Sequence, residues 1–422
     1  MVRKTGSLVA LLMVVVLVLS ACSSTVTSEP TATVEPTEVV TQEPTAVPEP
    51  AQEEPTGPLV IATPEQPGIC EAQAVPELSA RPVDEMDWVK GASEADADVT
   101  ILEYADFQCP GCSGIAPVLV QFLKDHPHVR LVYRHFPLSF HDKALLTAQA
   151  AEAAGAQGKF WEMYDLLFGR VDEWRDLSPE DARSKMSEFA ADLGLDVEKF
   201  DREVDDETYL PKINAQLEES QELQLPGTPT FIFNGLMFPG QQLGLSYQGL
   251  EAFLSIMELT EKQYTEAPAT TLDTEKSYQA TLSTNKGDIV VSLLPESAPA
   301  NVNSFLFLAQ EGWYEGTEFF FVEDNFVALA GDPSNTGLGY PGYYCTGETQ
   351  GTFDRTGLIG MLPNGQIFIT LGTDASELGG KFALIGQVVE GDDVLAALTR
   401  RSPADPAAPD PDLLESVTVV EK

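Results

Sequence analysis

Cys109 and Cys112 stand two residues apart in Phe107-Gln108-Cys109-Pro110-Gly111-Cys112, and two thiols at that spacing are the one constellation in this sequence able to carry chemistry alone. Such a pair can close into a disulfide and trade it with a substrate's thiols, one sulfur attacking and the other resolving. The competing use of Cys-x-x-Cys is half of a zinc site. No second Cys-x-x-Cys or Cys/His cluster follows at ligand spacing, so the pair reads as redox-active, with no metal and no cofactor expected.

The flanking residues say how the sulfurs are positioned. Val99-Thr100-Ile101-Leu102-Glu103-Tyr104 is β-branched and apolar, as a buried strand should be, while Ile115, Val118, Leu119, Phe122 and Leu123 recur at helical spacing. Cys109 therefore sits where a strand hands over to a helix, and Pro110 suits the first helical position, where its missing N–H loses no partner. Unpaired N–H groups and the helix dipole stabilise a thiolate there, and such sites lower a cysteine pKa from about 8.5 to roughly 3.5–7.5. Cys109 is assigned as the attacking thiolate and Cys112, one turn in, as the resolving partner. Gly111, small and neutral, carries no signal of the pair's redox potential.

At the amino terminus Arg3 and Lys4 precede an apolar run from Leu8 to Leu19, short for a membrane span and right for a signal peptide over residues 1–21. Leu19-Ser20-Ala21-Cys22 resembles a bacterial lipobox, which implies cleavage before Cys22, a lipid on its sulfur, and a mature protein outside the cytoplasm on the bacterial cell membrane, where disulfides persist. Residues 22–85 open with repeated Glu-Pro-Thr units and have no Lys or Arg before Arg81, a composition expected to give a disordered, extended tether. The formal charge of −42 over 422 residues disfavours nucleic acid and anionic lipid surfaces as partners.

Two folded domains are expected after the tether, at 86–264 and 278–422, with a polar linker at 265–277. In the first, a strand at Val129 to Phe136 follows the redox helix, then alanine-rich helix from Asp142 to Phe168 interrupted near Gly155 and Gly158. Ser178-Pro179-Glu180-Asp181 reads as an N-cap, and Gly227-Thr228-Pro229-Thr230-Phe231-Ile232-Phe233 returns as a strand before a last helix from Tyr247 to Gln263. That order is an α/β thioredoxin fold with a helical insertion. Three stretches, Glu103 to Cys112, Tyr133-Arg134-His135-Phe136-Pro137-Leu138 and Gly227 to Phe231, resemble DsbA-type thiol-disulfide oxidoreductases. The resemblance implies a cis Pro229 facing the dithiol, with Thr228 offering its backbone to an extended substrate and Pro110 and Gly111 beside it. Glu103 has two readings, a solvent-facing strand acid or a buried acid that takes a proton when Cys112 ionises. The resemblance favours the second, with a pKa raised by desolvation. His135 and His141 read as structural, and His126 and His128, flanking Pro127, as solvated.

Residues 278–422 alternate short strands and glycine-rich turns, with helices at Pro299 to Glu311 and Asp393 to Thr399, a pattern expected for an all-β-dominated closed barrel with two helices. Ala298-Pro299-Ala300-Asn301-Val302-Asn303-Ser304-Phe305, Gly331-Asp332-Pro333, Gly339-Tyr340-Pro341-Gly342-Tyr343 and Gly386-Gln387-Val388-Val389-Glu390-Gly391 resemble the cyclophilin-type prolyl isomerases. In that family an arginine polarises the prolyl amide; here Phe321 stands in its place, with Leu329 and Phe382 where the family has a glutamine and a histidine. Apolar proline-pocket positions survive as Phe326, Val327, Phe368 and Leu378. Loss of one positioned donor typically costs about 2.7 to 4 kcal/mol of transition-state stabilisation. A proline-peptide-binding module is therefore expected rather than an efficient isomerase.

The whole chain reads as a lipid-anchored thiol-disulfide oxidoreductase acting on reduced or unfolded secreted proteins and recharged by a membrane redox partner. A true prolyl isomerase with another donor, or a non-enzymatic holdase, are the alternatives. Cys70 and Cys345 are left open, as a pair across the domains, as spare redox thiols, or as free cysteines.

Overall fold

The computed structural model describes residues 59, 61–64, 67–73, 76–403, 405 and 407–422. The leader at 1–21, Cys22 and the tether as far as residue 58 lie outside the described residues. The described residues group as one unit.

The first strand, β1 (Ile69–Ala72), falls inside the stretch read as tether, so that expectation is corrected here. Backbone pairing with a distant strand holds it, and Leu78, Ala80 and Val83 further along pack against a core of Leu102, Tyr104, Val132, Phe136 and Ile232. Next come β2 (Trp88–Gly91) and β3 (Val99–Ala105), whose residues from Ile101 onward are all buried, as the β-branched run requires. Helix α1 (Pro110–Asp125) crosses to β4 (Val129–His135), which runs parallel to β3. The insertion follows as α2 (Ala144–Gly155), α3 (Phe160–Gly169), α4 (Pro179–Asp192), α5 (Val197–Asp205) and α6 (Leu210–Glu222). Ser178 caps α4 by accepting from the Asp181 N–H, as its sequence signature required. At the end of α2 an added Cβ on Gly155 would sit 2.3 Å from the Trp88 ring, so glycine is needed for the helix to lie on β2.

Strands β5 (Thr230–Phe233) and β6 (Leu236–Met237) complete a sheet of order β2-β4-β3-β5-β6. After the short α7 (Gly240–Leu243), α8 (Tyr247–Thr260) stops before the expected Gln263. Its exit is redirected by the second domain, where Pro341 O accepts from Tyr264 N and Tyr340 O from Gln263 Nε2. The stretch at 265–277 is likewise not a free spacer. Asn303 Oδ1 accepts from Thr271 N and Leu272 N, and Ala267 and Leu272 pack on the second core.

The second domain runs β7 (Tyr278–Thr284), β8 (Gly287–Leu293), α9 (Pro299–Gln310), β9 (Thr317–Glu318), β10 (Phe321–Val322), β11 (Val327–Ala330), β12 (Tyr343–Thr346), β13 (Leu358–Met361), β14 (Ile367–Thr370), β15 (Ala383–Glu390), α10 (Asp392–Ala397) and β16 (Leu413–Glu421). Nine of these strands form one curled antiparallel sheet, β10-β11-β14-β13-β15-β8-β7-β16-β9. The expected closed barrel is corrected to a half-barrel: its edge strands β9 and β10 are consecutive in the chain and meet through Phe319-Phe320 rather than through a ladder. β12 lies outside that sheet and pairs with β1.

Candidate active site

Cys109 is the N-cap of α1 and Pro110 its first residue, so the sulfur stands at the helix mouth as the sequence indicated. Both thiols are free and buried, Cys109 at 7 % exposure and Cys112 at 0 %. The Cys109 thiol is pushed down to about 5, chiefly by the hydrogen bond from Cys112, against burial, and with help from Thr228 and the N–H groups of Cys112 and Gly111. Cys112 moves the other way, raised by burial and by its role as donor to Cys109. One sulfur is thus made a thiolate at neutral pH while the other keeps its proton.

The loop before β5 closes the site from the opposite side. The Thr228–Pro229 bond is cis, as the resemblance implied, and Thr228 O accepts from Cys109 Sγ at 3.3 Å. A Cβ on Gly111 would stand 3.0 Å from Pro229 Cδ and 3.7 Å from Cys109 Sγ, so this residue and the proline lie against each other beside the sulfur. The Thr228 hydroxyl is buried beside Cys109 with no hydrogen-bond partner in place, which leaves its proton free to turn toward the sulfur once that is a thiolate. Pro110 is exposed and forms the rim.

Glu103 lies at 0 % exposure on β3, so it is buried and does not face solvent at the strand edge. Burial drives its pKa up to about 8, opposed by the Tyr164 hydroxyl, which donates to Oε2 at 3.3 Å. Asp106 is the hub of the approach to α1. Its carboxylate accepts from Gln108 N at 2.8 Å, from Leu138 N at 2.9 Å and meets His141 Nδ1 at 2.7 Å, and its carbonyl accepts from Cys109 N. His135 is buried against Glu152 at 2.9 Å, and burial lowers its pKa, which fits a structural role. His126 departs from the solvated reading, being 17 % exposed and 2.6 Å from Glu251, while His128 is exposed.

Sequence reasoning missed a buried ionic network behind β4. Arg134, at 0 % exposure, donates to Asp87, Glu219, the Tyr104 hydroxyl and Arg81 O. Its signal was present only as an arginine inside an apolar strand, which names no partner.

In the second domain the four proline-pocket positions are all buried. Phe326 is 9 % exposed, Val327 1 %, Phe368 2 % and Leu378 3 %. The Phe368 ring packs on Phe353 at 4.8 Å and on Phe382 at 5.5 Å, and Phe321 is itself buried. The second cysteine pair is settled: Cys70 and Cys345 form a disulfide.

Residues 84–255 match the family model described as thioredoxin, and residues 279–419 that of the cyclophilin type peptidyl-prolyl cis-trans isomerases. Among curated proteins the chain is 41 % identical over 156 residues to the Na(+)/H(+) antiporter NhaA 3 of Salinispora tropica, covering 36 % of this chain and 22 % of that protein. It is 37 % identical over 163 residues to NhaA 1 of Mycolicibacterium gilvum, covering 37 % and 24 %. The chain thus spans under a quarter of the length of these two relatives. Similar solved structures include oxidised BdbD from Bacillus subtilis, with a TM-score of 0.37 at 21 % identity, covering 44 % of this chain and 99 % of that one. A thioredoxin-like oxidoreductase from Silicibacter pomeroyi gives 0.33 at 25 % identity, covering 42 % and 94 %. A cyclophilin type isomerase from Cryptosporidium parvum gives 0.30 at 24 % identity, covering 35 % and 99 %.

Proposed function

For a chain that joins a DsbA-like thioredoxin-type domain to a cyclophilin-type domain, we propose an extracytoplasmic, lipid-anchored thiol-disulfide oxidoreductase that forms or exchanges disulfides in reduced secreted proteins. The observation that carries it is the opposite displacement of the two thiols, Cys109 down to about 5 and Cys112 up, at a helix N-terminus facing Thr228–Pro229. In the oxidised enzyme a client thiolate attacks Cys109 Sγ. The Cys109–Cys112 bond breaks, its electron pair leaves on Cys112, and Cys112 takes up a proton. Glu103, poised near neutrality beneath it, is the group to exchange that proton. A second client thiolate then displaces Cys109, which leaves readily because its anion is stable. The client acquires the disulfide and the enzyme the dithiol, to be recharged by a membrane redox partner.

The cyclophilin-type half is proposed to hold proline-containing clients near the dithiol, raising their local concentration. The replacement of the expected arginine by the buried Phe321 supports binding over turnover. The experiment is oxidative refolding of a reduced model protein. Cys109→Ser should abolish turnover and Cys112→Ser should trap a mixed disulfide with the client; wild-type rates in Cys109→Ser overturn the reading. Anchoring through Cys22 is tested by detergent phase partition, which Cys22→Ser should shift to the aqueous phase.

A further inference from the structure

The chain segment that enters the folded region touches both domains before it joins either. Residues 69–72 pair as β1 with β12 in antiparallel register, Ile69 opposite Thr346 and Ala72 opposite Tyr343. Gln73 extends the contact, its N–H donating to Gly342 O and its carbonyl accepting from the Tyr340 hydroxyl. Gly68 N donates to Glu348 Oε1 at 3.1 Å, and a Cβ there would fall 2.5 Å from Glu348 Cδ, so a larger residue would have to displace that carboxylate. Glu348 is itself buried and takes the N–H groups of Ala300 and Asn301 at the start of α9. A few residues later the same segment lies on the thioredoxin-type domain, where Leu78 N donates to Gly235 O and Arg81 N to Glu219 Oε1.

Within this strap Cys70 lies directly opposite Cys345 and is bonded to it across 275 residues of sequence. The bond closes a ring that contains the whole thioredoxin-type domain. It gives the two domains a second covalent connection beside the stretch at 265–277. Two four-residue strands forming a sheet of their own are marginal without such help.

We propose that Cys70–Cys345 is a redox-set latch: oxidised, it holds residues 67–73 as a strap across both domains, and reduction by a dithiol frees the strap from β12 and loosens one domain from the other. Attack falls on Cys70, half-buried where Cys345 is 3 % exposed. The reductant's thiolate bonds to Cys70 Sγ, the old S–S bond breaks, and Cys345 leaves as a thiolate and is protonated. The reductant's second thiol then displaces Cys70, so the reductant ends as a disulfide and the chain gains two thiols. The latch works without the chemistry of Cys109.

The test is hydrogen exchange by mass spectrometry on the full chain carrying Cys109→Ser and Cys112→Ser, with and without dithiothreitol, alongside small-angle scattering. On reduction the amides of 69–73 and 343–346 should exchange at least about tenfold faster, with β3 and the β7–β8 hairpin keeping their protection, and the particle should broaden. Cys70→Ser added to the same chain should show this without reductant. Unchanged strap exchange after reduction overturns the latch. So does loss of protection throughout β7–β8, or a bond that dithiothreitol opens only in denaturant; either makes it a plain structural staple.

Discussion

Replacing Glu103 by Gln keeps the shape of the side chain and removes its titration. The carboxyl is fully buried, and burial raises its pKa from 4.5 to about 8. A raised carboxyl binds more protons in the folded than in the unfolded state across that interval. Its contribution is therefore intact below 4.5 and is lost as pH rises through about 8. At about 1.36 kcal/mol per unit of pKa, the interval corresponds to a loss on the order of 5 kcal/mol, of which about 3 kcal/mol has gone by pH 7. Glu103→Gln should remove that decline, so the variant gains on the wild type as pH rises from 4.5 to 8. Urea unfolding of the reduced protein, followed by fluorescence, reads the first domain mainly, since Trp88, Trp161 and Trp174 lie there and only Trp313 lies in the second. Parallel pH profiles for variant and wild type would refute the assignment of a protonated acid beneath the dithiol. The same substitution should slow oxidation of clients by roughly 10²–10⁴-fold if this acid handles the Cys112 proton, a readout that a merely structural carboxyl would not move.

Thiolate absorbance of the reduced protein should titrate near pH 5 for Cys109, and Thr228→Val should raise that midpoint by about one to two units, the worth of a hydrogen bond to a charged group, while Thr228→Ser restores it. Because this thiol is depressed, its stabilisation of the reduced form is full above the unfolded-state pKa and disappears as pH falls through about 5, which acid unfolding of reduced Cys109→Ser should fail to show. Arg134→Met leaves Asp87 and Glu219 with only the partly exposed Arg81 as a cation and should destabilise the first domain by up to about 3–5 kcal/mol in urea. The second domain, measured by a proline-switch assay, should be at least about a hundredfold slower than cyclophilins that carry the arginine; rates like theirs would restore the isomerase reading.

What the sequence made legible is local. Cys109-Pro110-Gly111-Cys112 is read from spacing, α1 from the period of Ile115, Leu119 and Phe122, and α4 from Ser178-Pro179, because each depends on residues a turn apart. The chain's remote pairings were not visible. Ile69-Cys70-Glu71-Ala72 looks like tether because nothing nearby announces a strand; it becomes one only against Tyr343–Thr346. Barrel closure is the same kind of question, decided by whether β9 and β10 pair, which no short window contains. His126 shows the limit in miniature: Pro127 beside it signals a turn, yet Glu251 on α8 arrives from 125 residues away to hold it.

The strongest physical mark of the site lies in how the first domain treats its buried acids. Asp87 and Glu219 meet Arg134 and Arg81. Glu152 meets His135, Lys212 Nζ at 2.7 Å and the Trp88 indole N–H. Asp106 meets His141 and two backbone N–H groups. Glu103, no less buried, has only the Tyr164 hydroxyl among the described residues. A domain able to supply ionic or hydrogen-bonding partners to its other interior carboxylates leaves one with a single hydroxyl, close enough to Cys112 to raise that thiol's pKa. Packing alone gives no reason to keep a lone acid there, since an apolar residue of its size would be less costly to bury. A cation beside Glu103 would fix it as a carboxylate and remove its capacity to exchange a proton near neutrality. The missing partner is thus the feature on which the proposed proton-handling role of Glu103 rests.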